Sequence, residues 1–176
     1  MKMRSMKSFI SILLCALCLS LSASKSLAQA RPSPYTNDIA AGLLEFFQGA
    51  GFFYVQYEWK SAQVNSWVIR AFLPKQASGY SGFGVGGAYK FFIADSRALT
   101  GLSVAPAAEI FFLSNSGLGR SATPISIGGD IAYKWIFGQF SVEPIASIRI
   151  WILSGTGPTA YSGFQPGIDV LLGVAF

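Results

Sequence analysis

Between Ile125 and Phe137 the chain reads I-S-I-G-G-D-I-A-Y-K-W-I-F. Ile125, Ile127, Ile131, Tyr133, Trp135 and Phe137 alternate with Ser126, Gly128, Asp130, Ala132 and Lys134. A strand turns successive side chains to opposite faces, so this stretch has one greasy face and one face of small or charged groups. The same two-residue period recurs along most of the chain in segments of about ten residues, the length of a tilted strand that crosses a bilayer. Of all residues 52% are hydrophobic and 12% charged, where an ordinary soluble domain is roughly 25% charged. Yet the body of the chain offers no run of roughly 18 apolar residues to serve as a spanning helix. In lipid only helices and closed barrels satisfy every backbone group. The expected fold is therefore all-β: an eight-stranded antiparallel transmembrane β-barrel in up-and-down meander order.

The strands are expected at about 38–47, 52–59, 65–73, 83–94, 102–113, 125–137, 140–152 and 167–176. Phe53, Val55, Tyr57 and Trp59 share one face of the second, and Trp67, Ile69, Ala71 and Leu73 one face of the third. In the last strand Ile168, Val170, Leu172, Val174 and Phe176 alternate with Asp169, Leu171, Gly173 and Ala175. Faces in the first strand are ambiguous. An aromatic carboxy-terminal Phe176 suits a closing strand, because that ring can sit at a membrane interface. Gly167, Val170, Leu172, Val174 and Phe176 are expected to be the segment that barrel-insertion machinery reads. Pro106 and Pro144 fall inside strands and each removes a ladder donor, so bulges or local irregularity are expected there. With the amino-terminus on the periplasmic side, the inner turns are short. The outer loops, at about 74–82, 114–124 and 153–166, are longer and rich in Gly, Ser and Pro.

Residues 1–30 read as a cleaved secretory signal: Lys2, Arg4 and Lys7, a short apolar stretch from Phe9 to Leu21, and Ala28-Gln29-Ala30 before the cut. Residues 31–37 are a short periplasmic linker and 38–176 the barrel. Cys15 and Cys18 fall in the signal without a lipoprotein pattern, so disulfides and thiol chemistry drop out. The net charge of +5 is concentrated there too. Without Lys2, Arg4, Lys7 and Lys25, nine bases of the 13 face eight acids, and nothing points to nucleic acid.

With the greasy face outward, Glu58, Arg70, Lys90, Glu109, Asp130, Lys134, Glu143, Arg149 and Asp169 turn into the lumen. Glu45 joins them in the more polar register of strand one. An ionised group facing hydrocarbon costs on the order of 2–4 kcal/mol, whereas inside an eight-stranded barrel opposite signs pair and fill the space. The competing reading is a polar path for small solutes. The chain has no histidine, which excludes a Ser-His-Asp triad and His-ligated zinc. Glu109 and Asp130 on adjacent strands could do acid–base work, but beside Lys90 and Lys134 they are more simply ion-pair partners. Gly84, Gly86, Gly87, Gly128 and Gly129 lie in alternating strands without a following helix, which favours close packing over a phosphate loop. No cofactor or metal is expected.

Tyr57, Trp59, Trp67, Tyr89, Tyr133 and Trp135 lie near strand ends, as an interfacial aromatic girdle requires. Stacking on a carbohydrate or a nucleic acid is the alternative. Tyr80, Arg120 and Tyr161 in the outer loops are candidate contacts for an extracellular partner.

G-G-A-Y-K-F-F at 86–92, L-T-G-L-S-V-A-P at 99–106 and I-G-G-D-I-A-Y-K-W-I-F-G-Q-F-S-V-E-P at 127–144 resemble a family of small, uncharacterised outer-membrane β-barrel proteins of diderm bacteria. Their architecture is similar to the OmpA and OmpX type. The resemblance covers roughly half of residues 31–176 and implies fold and compartment, with outer-membrane lipid as the surrounding partner. It carries no catalytic residue. The expected function is a non-enzymatic outer-membrane barrel with a structural or surface-contact role. The alternatives are a narrow, porin-like channel or transporter for small solutes, and a lipocalin-like barrel with an apolar ligand inside.

Overall fold

The computed structural model describes residues 34–42, 52–74, 79–93, 98–152 and 162–176. They form nine β-segments: β1 (Asn37–Gly42), β2 (Phe52–Lys60), β3 (Asn65–Pro74), β4 (Ser81–Phe92), β5 (Gly101–Asn115), β6 (Arg120–Ala122), β7 (Ile125–Phe137), β8 (Phe140–Ile152) and β9 (Gly163–Ala175). β6 and β7 keep one register against β5 and are interrupted only at Thr123-Pro124, so the nine segments make eight strands. Proline has no N–H to continue the ladder, but its carbonyl still accepts from Phe111 N–H at 2.9 Å. Neighbours along the chain pair antiparallel throughout, and β1 pairs with β9. The sheet is a closed eight-stranded meander, as the alternation predicts.

The register also sets the barrel's dimensions. Partner follows partner from Asp38 through Glu58, Val68, Ala88, Ala107, Gly128 and Arg149 to Gln165 on β9. The direct partner of Asp38 on β9 is Ala175, ten residues away. A shear of ten over eight strands tilts the strands by about 40° and gives a Cα cylinder about 16 Å across, with room for side chains only. At that tilt the 13 residues of β9 rise roughly 30 Å along the axis.

Several boundaries differ from expectation. β1 starts one residue early, at Asn37, and the remainder of its expected span lies outside the described residues. The 114–124 loop is largely a hairpin: β5 continues to Asn115 and turns back into β6, because Leu113 and Ala122 are both buried. β9 begins at Gly163, so Pro166 stands in a strand, paired with Ile148. Pro106 and Pro144 produce no bulge. The ladder skips Tyr89–Lys90 against Ala105–Pro106, and Tyr133–Lys134 against Glu143–Pro144, then resumes in the same register. A missing donor costs one bond without adding a residue, so nothing shifts.

Polarity is inverted relative to a core-forming sheet. Ile69, Phe83, Ile127, Ile131, Ile148, Ile150, Ile152 and Phe164 are each more than half exposed on the outer wall. Tyr54, Phe72, Phe111 and Trp151 are buried inside, with successive ring centroids 5.2, 5.1 and 5.3 Å apart. The interior glycines make room for them. A Cβ on Gly84 would lie 2.5 Å from the Phe111 ring, and one on Gly42 would run into Tyr54.

Two adjacent glycines separate sharply. A Cβ on Gly128 would collide with the Ile148 carbonyl, whereas one on Gly129 meets nothing closer than the Ala105 carbonyl at 3.5 Å. In chemical denaturation, Gly128→Ala should lower stability by about 1–3 kcal/mol. Gly129→Ala should stay within about 0.5 kcal/mol of the parent. Equal effects would contradict this β7–β8 register.

Candidate functional site

The two-residue period of each strand delivers nine of the ten expected charges to the inside. Glu58, Arg70, Lys90, Glu109, Asp130, Lys134, Glu143, Arg149 and Asp169 are all buried; Glu45 lies outside the described residues. The sixth acid of the described lumen is Asp38, which the ambiguous first strand concealed. It is fully buried, because Asp38, Ala40 and Gly42 share the inner face of β1.

The charges form two layers. Nearer the end where Asn37 pairs with Phe176, two ammoniums sit among three carboxylates. Lys134 Nζ lies 2.7 Å from Asp38 Oδ2, 2.5 Å from Glu58 Oε2 and 3.1 Å from Glu143 Oε2. Lys90 Nζ lies 2.7 Å from Glu58 Oε2 and also pairs with Glu143 Oε1. Ser66 Oγ donates to Glu58 at 2.5 Å and Ser141 Oγ to Asp38 at 2.7 Å. Higher up, two guanidiniums alternate with two carboxylates. Arg70 pairs with Asp130 at 2.8 Å and Glu109 at 3.6 Å. Arg149 pairs with Asp130 at 2.7 Å and Glu109 at 2.9 Å. Ser126 Oγ donates to Glu109 at 2.8 Å. Gln56 joins the layers: its Oε1 accepts from Arg70 Nε at 3.1 Å and its Nε2 donates to Glu143 at 3.3 Å. Asp169 is buried facing Gly42, and its Oδ1 accepts the Val170 N–H at 2.7 Å.

Each carboxylate of these layers is bound by at least one cation, and Asp38, Glu58 and Glu109 by a serine hydroxyl as well. Glu109 and Asp130 each pair with both Arg70 and Arg149, not with Lys90 and Lys134, whose ammoniums serve the lower layer; this is an arrangement of ion pairs rather than of a proton-sharing dyad. Asp38, Glu58 and Glu143 converge closely enough to hold a cation. Lys134 already contacts all three and Lys90 two, so lysine ammoniums fill that place.

An internal repeat builds the lower layer. A-Y-K at 88–90 is followed by S-V-A-P-A-A at 103–108, and A-Y-K at 132–134 by S-V-E-P-I-A at 141–146. In both hairpins the unpaired Tyr-Lys stretch faces the residue-plus-proline stretch. Lys90 and Lys134 therefore arrive from different sides on the same two carboxylates, Glu58 and Glu143. The recurring A-Y-K and S-V-x-P-x-A words are the signal that would have revealed this from sequence. Parity alone would have placed Gln56, Ser66, Ser126 and Ser141 inside, and Tyr54, Phe72, Phe111 and Trp151 with them.

On the outer wall, Tyr57, Trp59, Trp67 and Tyr89 form a continuous row around β2–β4, with centroids 5.8, 6.5 and 4.5 Å apart. Tyr133 and Trp135 pair at 4.6 Å on β7. Tyr57 O–H donates to Asn37 at 2.7 Å and Asn65 donates to Tyr89 at 2.9 Å, as ring tips at a polar boundary should. In β9, Val170, Leu172 and Val174 face out and Gly167 faces in, while Phe176 is half exposed just beyond the strand. Tyr80 is not a loop contact. It is buried in a cluster with Phe111, Leu113 and Ala122, because the β5–β6 hairpin covers it. Arg120 is exposed, and Tyr161 lies outside the described residues.

Searches against protein-family models, curated proteins and solved structures returned no match to this chain.

Removing one partner from a buried ion cluster strands the others, at a cost of about 3–5 kcal/mol. Lys134→Met should therefore destabilise the barrel on that scale in denaturant titration, while Arg120→Ala should stay within about 0.5 kcal/mol of the parent. A near-neutral Lys134→Met would mean that the lysine does not hold these carboxylates.

Proposed function

We propose that the chain is an integral β-barrel of the bacterial outer membrane with a structural or surface-contact role, non-enzymatic, its lumen filled by paired charges and aromatic rings. The observation that carries this reading is the inverted polarity. A closed sheet that exposes isoleucine, valine and phenylalanine around its wall, and buries six acids and four bases inside, suits hydrocarbon as its outer solvent. A lipocalin-like barrel would have the opposite arrangement, with an apolar lumen and charges outside. The axial rise of roughly 30 Å suits a hydrocarbon core of about that thickness. The row from Tyr57 to Tyr89 suits one interface and Phe53, Phe83, Phe112 and Phe164 the other. Residues 1–30 supply the export signal in this reading, β9 the segment for the insertion machinery, and the hairpin tip around Arg120 a surface for an outside partner. The resemblance of 86–92, 99–106 and 127–144 to small outer-membrane barrels supports the same compartment.

A narrow channel is the second reading. What favours it is the unbroken polar column from Asp38 through Gln56 to Arg149. Against it, every charge in that column is paired and the aromatic rings fill the lumen beside and beyond it.

Expressed with its signal in a diderm bacterium, the protein should enter the outer-membrane fraction and resist carbonate extraction. It should migrate faster on gels unboiled than boiled, and record no conductance steps in planar bilayers. Recovery as a soluble monomer would sink the membrane reading. Discrete, reproducible steps from a heat-modifiable barrel would replace the closed lumen with a channel.

A further inference from the structure

Two prolines open the wall at equivalent places in the repeated hairpins. In an antiparallel pair, opposed residues alternate between exchanging both backbone bonds and exchanging none. The Ile93 N–H donates to the Leu102 carbonyl at 2.9 Å, which makes these two a bonded pair. The register carries that phase to Tyr89 opposite Pro106. Pro106 has no N–H, so the Tyr89 carbonyl loses its donor from β5. In the other hairpin the Ala175 N–H donates to the Gln139 carbonyl at 2.7 Å. Odd-numbered residues from Gln139 onward therefore turn their backbone groups to β9 and even-numbered ones to β7. Pro144 then holds a bonded place opposite Tyr133, and that carbonyl loses its donor from β8 in the same way.

The two places differ in what lies beside them on the outer wall. Next to Tyr89 and Pro106 the wall steps down to Gly87 and Ala108, an opposed pair with almost no side chain. A Cβ on Gly87 would meet nothing nearer than the Val68 carbonyl at 3.5 Å, so the space outside it is open. Further along the same strands, Val85 and Ile110 join Ile69 and Ile125 around a hollow of about 440 Å³ that reaches back to Ala108, with the inward-facing Gly86 and Glu109 behind it. Beside Tyr133 and Pro144 the matching pair is Ile131 and Ala146, and Ile131 stands out from the wall. Around Tyr89 the wall is aromatic: the Trp67 ring lies 4.5 Å from the Tyr89 ring and the Phe91 ring 4.9 Å. Pro106 and Trp67 are exposed. A carbonyl oxygen without a donor and the faces of aromatic rings both attract an ammonium. The hollow attracts hydrocarbon.

We propose that the outer wall of β4–β5 binds a phospholipid with an ethanolamine-type head group. Its ammonium N–H donates to the Tyr89 carbonyl beside the Trp67 and Tyr89 rings, and one acyl chain runs over Gly87 and Ala108 into the hollow. This inference rests on the membrane reading above, in which the aromatic row lies at the interface and the hollow in hydrocarbon. A choline head group has no N–H to donate, so the site separates the two kinds of lipid. The Tyr133 carbonyl offers the same acceptor, but Ile131 occupies the path a tail would take.

Native mass spectrometry tests it on the protein expressed with its signal and purified in mild detergent, with heat-modifiable mobility confirming the barrel in each variant. Phosphatidylethanolamine and phosphatidylcholine of the same acyl chains are added in equal amounts. The parent should retain the ethanolamine lipid at least ~5-fold over the choline lipid. Pro106→Ala restores the N–H opposite Tyr89 and should bring that ratio within ~2-fold of even. Pro144→Ala should leave it unchanged. Gly87→Leu fills the groove and should lower retention of both lipids at least ~5-fold. Even retention by the folded parent, an unchanged ratio in folded Pro106→Ala, an equal loss in Pro144→Ala or full retention in folded Gly87→Leu would overturn the site and leave the barrel reading standing. A soluble monomer would overturn both. If Pro106→Ala does not fold, methylated head groups decide on the parent. Retention should persist through the dimethyl head group, which keeps one N–H, and fall at least ~5-fold at the trimethyl. A steady decline with each methyl, or none at all, would overturn the proposal.

Discussion

One geometric constraint governs this molecule: in a closed ladder, each residue's position along its strand decides both its side of the wall and its height. The two-residue period sends Glu58 inward and Tyr57 outward, and no local adjustment can exchange them without moving the whole strand by one residue. Closure with a shear of ten then brings residues from distant parts of the chain to one level. Asp38, Glu58, Lys90, Lys134 and Glu143 come from five strands and meet within hydrogen-bonding distance because the register leaves them nowhere else to go.

That meeting has to be well made. Burying a single unpaired charge costs several kcal/mol, and a buried pair roughly breaks even at best. The ionic layers are therefore better understood as what specifies this register than as a reserve of stability. Slip any charged strand of these layers by one residue, and its inward charge turns outward while the ions it paired with lose a partner. The serines at 66, 126 and 141 satisfy oxygens that the cations leave over, and the amide of Gln56 adds a bond to Glu143, which allows a charged interior to be dense rather than wet. The aromatic layer solves the remaining volume differently. Its rings lie over Gly42, Gly84 and Gly86, so the wall is thinned where the filling is bulkiest.

The prolines show how little the ladder tolerates beyond such substitutions. Pro106, Pro124 and Pro144 each interrupt pairing, yet none shifts the register, since a missing N–H removes a bond and leaves the residue count unchanged. Two of the interruptions flank the inward lysines of the repeated hairpins and sit at the level of the outer aromatic row. In the proposed membrane setting that level is the interface, where water can take up a carbonyl the ladder leaves unpaired.

Strand number, order, the outward faces and most of the lumen charges were legible in the sequence, because period-two alternation is a local property that each segment displays by itself. Asp38 was missed because its strand is short and small-residued, so neither face stood out. The inward aromatics were missed because a greasy residue was assumed to face out, although Tyr54 shares parity with Glu58 and Phe111 with Glu109. Tyr80 was misjudged because a residue's loop position says nothing about the hairpin that folds over it. Which acid meets which base and the joining of the two layers through Gln56 belonged to the tertiary structure alone. These depend on shear and closure, which are set by all eight strands together and written in no single one.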